Sequence, residues 1–418
     1  MDRTNSRRAI IIACIFIALT VTAYAGATKL LSGAHNIIQY QYQRQKCFLG
    51  EKTGVQYSGL FGTDSMARNE TTGIEVIPGG QSIGIVLHSR GVMVVGMSNI
   101  VDETGKNINP AEEAGIKVGD LIVKVNGKEI HSEYMLRNEI DLAGRQAGNI
   151  VLEVKRGNNI SKVTVRVVKC RDTQRPRIGL FVRDSASGVG TLSFYHPGTG
   201  TYGALGHIIT DIDTAQGIDI SHGKIVESEI QAIHKGAKGK PGEKIGLFSE
   251  QGRFAGNITK NTRFGIYGSL NHFPGNPFFK NPVPVAAVSG IKKGNAEIYT
   301  VIDGTEVKKY DIEIEDVIYP WKNNGKGMVI KITDLDLIEK TGGIVQGMSG
   351  SPIMQNGMLV GVVTHVFIND PLRGYGVAAE WMVKEAGLLP EKNKKASKTE
   401  GTVNMIYPPV YTGGILLF

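Results

Sequence analysis

At 418 residues the chain has room for two or three folded units, and 41% apolar with 21% charged residues is an ordinary globular composition. The formal charge of +8 is spread along the chain among nearly as many acids, which argues against a nucleic-acid partner. Three scattered cysteines, with no CxxC or Cys/His spacing, exclude a disulfide framework and give no metal site, and no motif asks for a cofactor.

Twenty uncharged residues, "AIIIACIFIALTVTAYAGAT", lie between Arg8 and Lys29. At 1.5 Å per residue they suffice to cross a hydrocarbon layer of about 30 Å, and Arg3, Arg7 and Arg8 ahead of them orient the N-terminus to the cytoplasm. The expectation is a cytoplasmic tip and transmembrane helix over 1–28. Ala23-Tyr24-Ala25 also fits a signal-peptide cleavage site; both versions export the body of the protein. Residues 29–72, rich in Gln, Gly and Tyr without a sustained period, read as a linker.

From Gly73 short apolar runs cut by glycine predict strands, and 54 glycines in all favour turns over long helices. The spacing in "EYMLRNEIDLA" predicts a helix over 133–143, and Asn158 marks a turn between two alternating strands. Within this stretch "NPAEEAGIKVGDLIVKVNGKEI" resembles the hallmark segment of a bacterial PDZ domain: Pro110 starts a short helix, Gly115 ends it, and Gly119-Asp120 turns into a strand. The resemblance implies a small α+β PDZ domain over 73–170. It puts the peptide-binding loop at Ser82, Ile83, Gly84 and Ile85, where free backbone N–H groups and a strand edge would receive a peptide. This loop departs from the family's usual glycine-leucine-glycine-phenylalanine pattern.

Residues 175–389 again alternate short strands with glycine turns, as in an all-β barrel or sandwich, with one helix at 381–386 stopped by Gly387. The segment "GMSGSP" supplies a Gly-x-Ser-Gly loop of the kind that carries the nucleophile in chymotrypsin-like proteases. Gly347 would let the backbone N–H groups of Gly347 and Ser349 point into one oxyanion hole. The following "SPIMQNGMLVGVVTHV" predicts a hairpin behind the loop, with Asn356-Gly357 at its turn. Ser349 is the candidate nucleophile and Ser351 its structural neighbour. A serine hydroxyl needs a base, and His207, after the small-residue turn in "YGALGHIITDID", suits that role better than His222 or His365. For the acid, Asp334 fits a His-Asp-Ser order, whereas Asp211 and Asp213 are close enough to His207 to cap a turn. Tyr375 and Val377 are expected at the first specificity pocket. The tail 390–418 is charged and reads as disordered, and its closing "GGILLF" is too short to span a membrane.

Together and in order, the apolar N-terminus, "VIPGGQSIGI", "GALGHIITDID", "GIVQGMSGSPI" and "GYGVAAEWM" resemble the stage IV sporulation protein B serine peptidases of endospore-forming bacteria. The resemblance implies a membrane-associated, chymotrypsin-like serine peptidase with a triad of His207, Asp334 and Ser349. It also implies export to the space between the forespore membranes, self-cleavage, and cleavage of a membrane-bound regulator of an intramembrane protease that activates a sigma factor. Met348 stands where trypsin-like enzymes carry an aspartate, so no salt bridge to a freed N-terminus can order this loop. A general envelope quality-control protease and a non-catalytic PDZ scaffold are the alternatives; PDZ-first order speaks against the former and a full His-Asp-Ser set against the latter.

Overall fold

In a computed structural model of the chain, the structure describes residues 70–146, 148–249, 252–318 and 326–389. The expected anchor, nearly all of the linker and the C-terminal tail lie outside the described residues. Among those described, no helix is long and apolar enough to cross a membrane.

The architecture is mostly β: a double β-barrel peptidase domain and a PDZ domain. Six strands close the first barrel. Ser82–Met97 pairs through its first half with Leu180–His196, which pairs with Thr201–Ala204 and that in turn with Gly265–Ser269. A bridge from Leu270 to Gly256 continues to Ala255–Asn257, then Ile220–His234, and back to Ser82–Met97. Alternation along these strands sends Ile83, Ile85, Leu87, Leu192, Tyr202, Ile225 and Ile266 into one core. Each fully buried aliphatic side chain there contributes about 2 kcal/mol.

The second barrel closes in the same way. Gly294–Thr300 pairs with Lys308–Val317, and Met328–Ile332 joins that strand to Asp370–Ala378. Met358–Phe367 and Pro352–Gln355 complete the circuit back to Gly294–Thr300. The expected hairpin behind the serine loop is present, with Asn356 and Gly357 both at positive φ, as a tight two-residue turn requires. Thr71–Pro78 pairs with Tyr195 and Phe194 of the first barrel and with Val283–Ala286, which adjoins the second. A shared apolar layer containing Val76, Phe194, Tyr267, Leu359, Val362 and Val377 packs the two barrels together.

The PDZ domain is inserted into the first barrel. Ser82–Met97 and Leu180–His196 are antiparallel partners from Ser82↔Thr191 to Met97↔Leu180, with a bulge where the strands leave the barrel. Beyond it, Val92 and Met93 pair with Leu121–Val125, followed by Asn149–Arg156 and Asn159–Arg166. The helix Glu133–Arg145, capped by Ser132 accepting from the Met135 N–H, buries Leu136 and Ala143 against Val92, Val94, Ile122 and Ile150. The short helix Pro110–Glu113 begins at the expected proline behind an Asn109 cap, and Gly115 follows it at positive φ.

Two expectations need correction. The linker reading to residue 72 overlaps a strand that begins at Thr71, and residues 82–89, read as PDZ, build the peptidase barrel. The loop Ser82, Ile83, Gly84 and Ile85 is therefore not a peptide-receiving edge. Ile83 pairs with Gly190 on one side and Glu227 on the other, and Ser82, Ile83 and Ile85 are at most 4% exposed. A strand hydrogen-bonded on both edges has no donors left for a ligand. In the PDZ sheet the outer position beside Val94–Met97 is taken by Leu180–Val182, from the far end of the domain.

Candidate active site

His207 follows the barrel strand Thr201–Ala204 through Leu205 and Gly206, both at positive φ. The turn brings Gly206 so close to the serine side that a Cβ there would lie 2.6 Å from Val362 Cγ2 and 2.8 Å from Thr364 Cγ2. His207 is 8% exposed, and burial lowers its pKa while the hydrogen bond to the Ile208 carbonyl opposes that shift. Its Nδ1 is 2.9 Å from that carbonyl oxygen. A carbonyl only accepts, so the bond puts the proton on Nδ1 and the lone pair on Nε2, the tautomer a general base needs.

The serine loop enters from the second barrel. Met348 is fully buried in that barrel's core, so packing, not an ion pair, holds the loop where trypsin-like enzymes use an aspartate. Ser351 is also fully buried and donates to the Met348 carbonyl at 2.6 Å, a supporting role distinct from that of Ser349. Thr191 of the first barrel grips the loop from across the cleft. Its hydroxyl donates to the Gly347 carbonyl at 2.7 Å and its N–H to the Ser349 carbonyl at 3.0 Å. With their carbonyls turned to Thr191 and Gly347 at φ +90°, the N–H groups of Gly347 and Ser349 meet no acceptor among the described residues. Backbone donors with no protein acceptor, side by side at the nucleophile, are what an oxyanion hole requires.

Ser349 Oγ donates to the Thr364 carbonyl at 2.6 Å rather than to His207, so attack requires a turn about χ1. Next to Thr364, the His365 ring lies 5.0 Å from that of His207. Burial, then the charges of His207 and Lys326, push His365 down to about 3, which keeps it neutral beside the base. His222 lies elsewhere, stacked on His88 at 4.4 Å. Val377 is fully buried between the barrels, while Tyr375 stays partly exposed with Lys326 4.4 Å from its ring centroid.

The carboxylate expected to orient His207 is not brought to it. Asp334 caps the helix Leu335–Thr341, accepting from the Leu337 N–H at 2.9 Å and the Asp311 N–H at 3.4 Å. Asp211 caps the turn after His207 and pairs with Arg183 at 2.7 Å, and Asp213 pairs with the same guanidinium at 2.8 Å. In this conformation a backbone carbonyl does the orienting. Thr191 and Thr364, which touch the serine loop, escaped the sequence reading, since a threonine in a strand carries no distinguishing mark. No group of three or more metal-ligating side chains occurs among the described residues.

The family model for SpoIVB peptidase S55 matches residues 174–383, half of the chain, and the PDZ domain model matches 82–167, a span that takes in the strand residues 82–89 which the fold pairs into the first barrel. No curated protein matches. Among solved structures, the Rv3671c protease from M. tuberculosis in its active form is 14% identical over 51% of this chain and 78% of its own, with a TM-score of 0.29. The PDZ domain of the SdrC-like protein from Listeria monocytogenes is 19% identical over 22% of this chain and 87% of its own, with a TM-score of 0.18. The family match covers both the His207 turn and the Ser349 loop, and the chain belongs to the SpoIVB peptidase S55 family as a PDZ-containing serine endopeptidase.

Proposed function

We propose that Ser349 is the nucleophile and His207 the general base of a regulatory peptidase that acts outside the cytoplasm on a few protein targets. The observation that carries this is the pair of N–H groups on Gly347 and Ser349, unengaged among the described residues, at the cleft where the His207 turn meets the serine loop. Ser349 Oγ turns from Thr364 to the substrate carbonyl and His207 Nε2 takes its proton. The two N–H groups receive the oxyanion, and the Ile208 carbonyl holds Nδ1–H as the imidazolium forms. Collapse expels the amine, protonated by His207, and leaves an acyl-enzyme that water releases.

The family and the uncharged run between Arg8 and Lys29 support a membrane-held enzyme working between the forespore and mother-cell membranes. Its substrates are then itself and a membrane-bound regulator of an intramembrane protease, in a signal ending at a sigma factor. Ser349→Ala should abolish self-cleavage and lower kcat on a protein target by about 10⁴ or more. N-terminal sequencing of fragments present in the parent and missing from Ser349→Ala gives the self-cleavage sites. Unchanged fragments in the variant would remove Ser349 from the mechanism.

A further inference from the structure

The strand Glu243–Ser249 is inverted relative to a simple amphipathic pattern. Ile245 is 37% and Leu247 62% exposed, while Lys244 between them and the barrel is only 5% exposed. Its backbone is tied to the residue before the serine loop: the Lys244 N–H donates to the Gln346 carbonyl at 2.9 Å, and the Gln346 N–H to the Gly242 carbonyl at 2.8 Å. Its side chain then passes under Gly347. Cβ and Cδ of Lys244 lie 3.1 Å, and Cγ 3.2 Å, from where a Gly347 Cβ would stand, so the stem occupies the space a side chain there would need. Nζ ends 2.8 Å from Oγ1 of fully buried Thr300, and no carboxylate lies within ion-pair distance of it among the described residues.

Burying a lone amine is costly, and a methionine would fill the same volume without that cost. A cation whose burial serves packing alone is therefore hard to account for. In trypsin-like enzymes the ammonium that orders the serine loop is a chain terminus paired with an aspartate; here that aspartate position is Met348, buried in apolar surroundings. Lys244 is the amine that lies against the loop instead. Its Nζ is bonded to Thr300 and not to Ser349, so it is not the base of a Ser–Lys pair.

We infer that Lys244 is a positioning residue of the oxyanion loop: its stem fixes Gly347 in the left-handed conformation that aims its N–H, and its amine on Thr300 supplies positive charge beneath the oxyanion as that charge forms. This rests on Ser349 as nucleophile and on Gly347 as a donor. Burial pushes Lys244 down to about 7, and negative charge developing nearby favours its protonated, positively charged form. A charge that acts only in the transition state raises kcat and leaves substrate binding alone.

The test compares Lys244→Met, which keeps the stem and deletes the amine, with the parent on one protein substrate, in full-length protein. Kinetics are accompanied by the rate of active-site labelling with a fluorophosphonate. The expected result is a kcat lower by about 10-fold to 100-fold with KM within about twofold, slower labelling, and a melting temperature equal to or above the parent's. Thr300→Val, which removes the amine's hydrogen-bond partner, should lower kcat by a smaller factor, and it keeps the test open if Lys244→Met does not fold. Parental kcat in a folded Lys244→Met, or a change confined to KM, overturns the role of Lys244 while leaving Ser349 in place. Labelling and cleavage that persist in Ser349→Ala overturn the nucleophile assignment and this inference with it.

Discussion

The two barrels close with six strands each, yet the first is opened by a whole domain and the second runs without such an insertion from Gly294 to Ala378. The histidine belongs to the interrupted barrel and the serine to the uninterrupted one. The strand Leu180–His196 borders the PDZ core at one end, and near the other carries Thr191, which holds the carbonyls of Gly347 and Ser349. On the way it carries Arg183, paired with Asp211 and Asp213 just after His207. Both halves of the site are thus attached to the strand that passes into the PDZ domain, and the nucleophile takes its own position from a core that strand does not enter.

The largest stability effect that would break this arrangement is expected at Arg183. Arg183→Met leaves the Asp211 carboxylate, 4% exposed, without its cation, at a cost of about 2–4 kcal/mol. Chemical denaturation should show that loss, and kcat should fall as the turn after His207 relaxes. A variant with parental stability and kcat would separate the PDZ end of the strand from the catalytic turn. Next comes Gly84, whose Cβ would collide with the Phe248 ring. Gly84→Ala should cost about 1–3 kcal/mol of peptidase-barrel stability, because that position is core and not a ligand loop. An unchanged denaturation midpoint with lost peptide binding would restore the PDZ-loop reading. The smallest effect belongs to Asp334. Asn caps a helix about as well as Asp, so Asp334→Asn should change stability by a few tenths of a kcal/mol and kcat by less than about twofold, while Asp334→Ala loses about 1 kcal/mol through the cap. A kcat for Asp334→Asn as low as that of Ser349→Ala would return the aspartate to the triad.

What was legible in the sequence is what local chemistry determines. The Gly-x-Ser-Gly loop, the Asn-Gly hairpin behind it, the capped helix from Glu133 and the proline-started helix at Pro110 each follow from residues within a few positions. The errors lie where partners are far apart in the chain. Whether Ser82–Ile85 is an open edge depends on residues 188–191 and 225–227, more than a hundred positions away, and glycine-spaced apolar residues read alike in either setting. Asp334 fitted a triad by its order alone, but an aspartate at a helix start has the same appearance. Nothing local in "GEKIGLF" marks Lys244 as buried; the exposed Ile245 and Leu247 that betray its burial only have meaning once the barrel is closed.

Fluorophosphonate labelling of the parent, Ser349→Ala and His207→Gln, with the modified peptide identified by mass spectrometry, tests the central claim most directly. The account predicts a single adduct on Ser349, none in Ser349→Ala, and a labelling rate lowered by at least about 10²-fold in His207→Gln. An adduct on Ser351, or a His207→Gln protein that labels as fast as the parent, would contradict it.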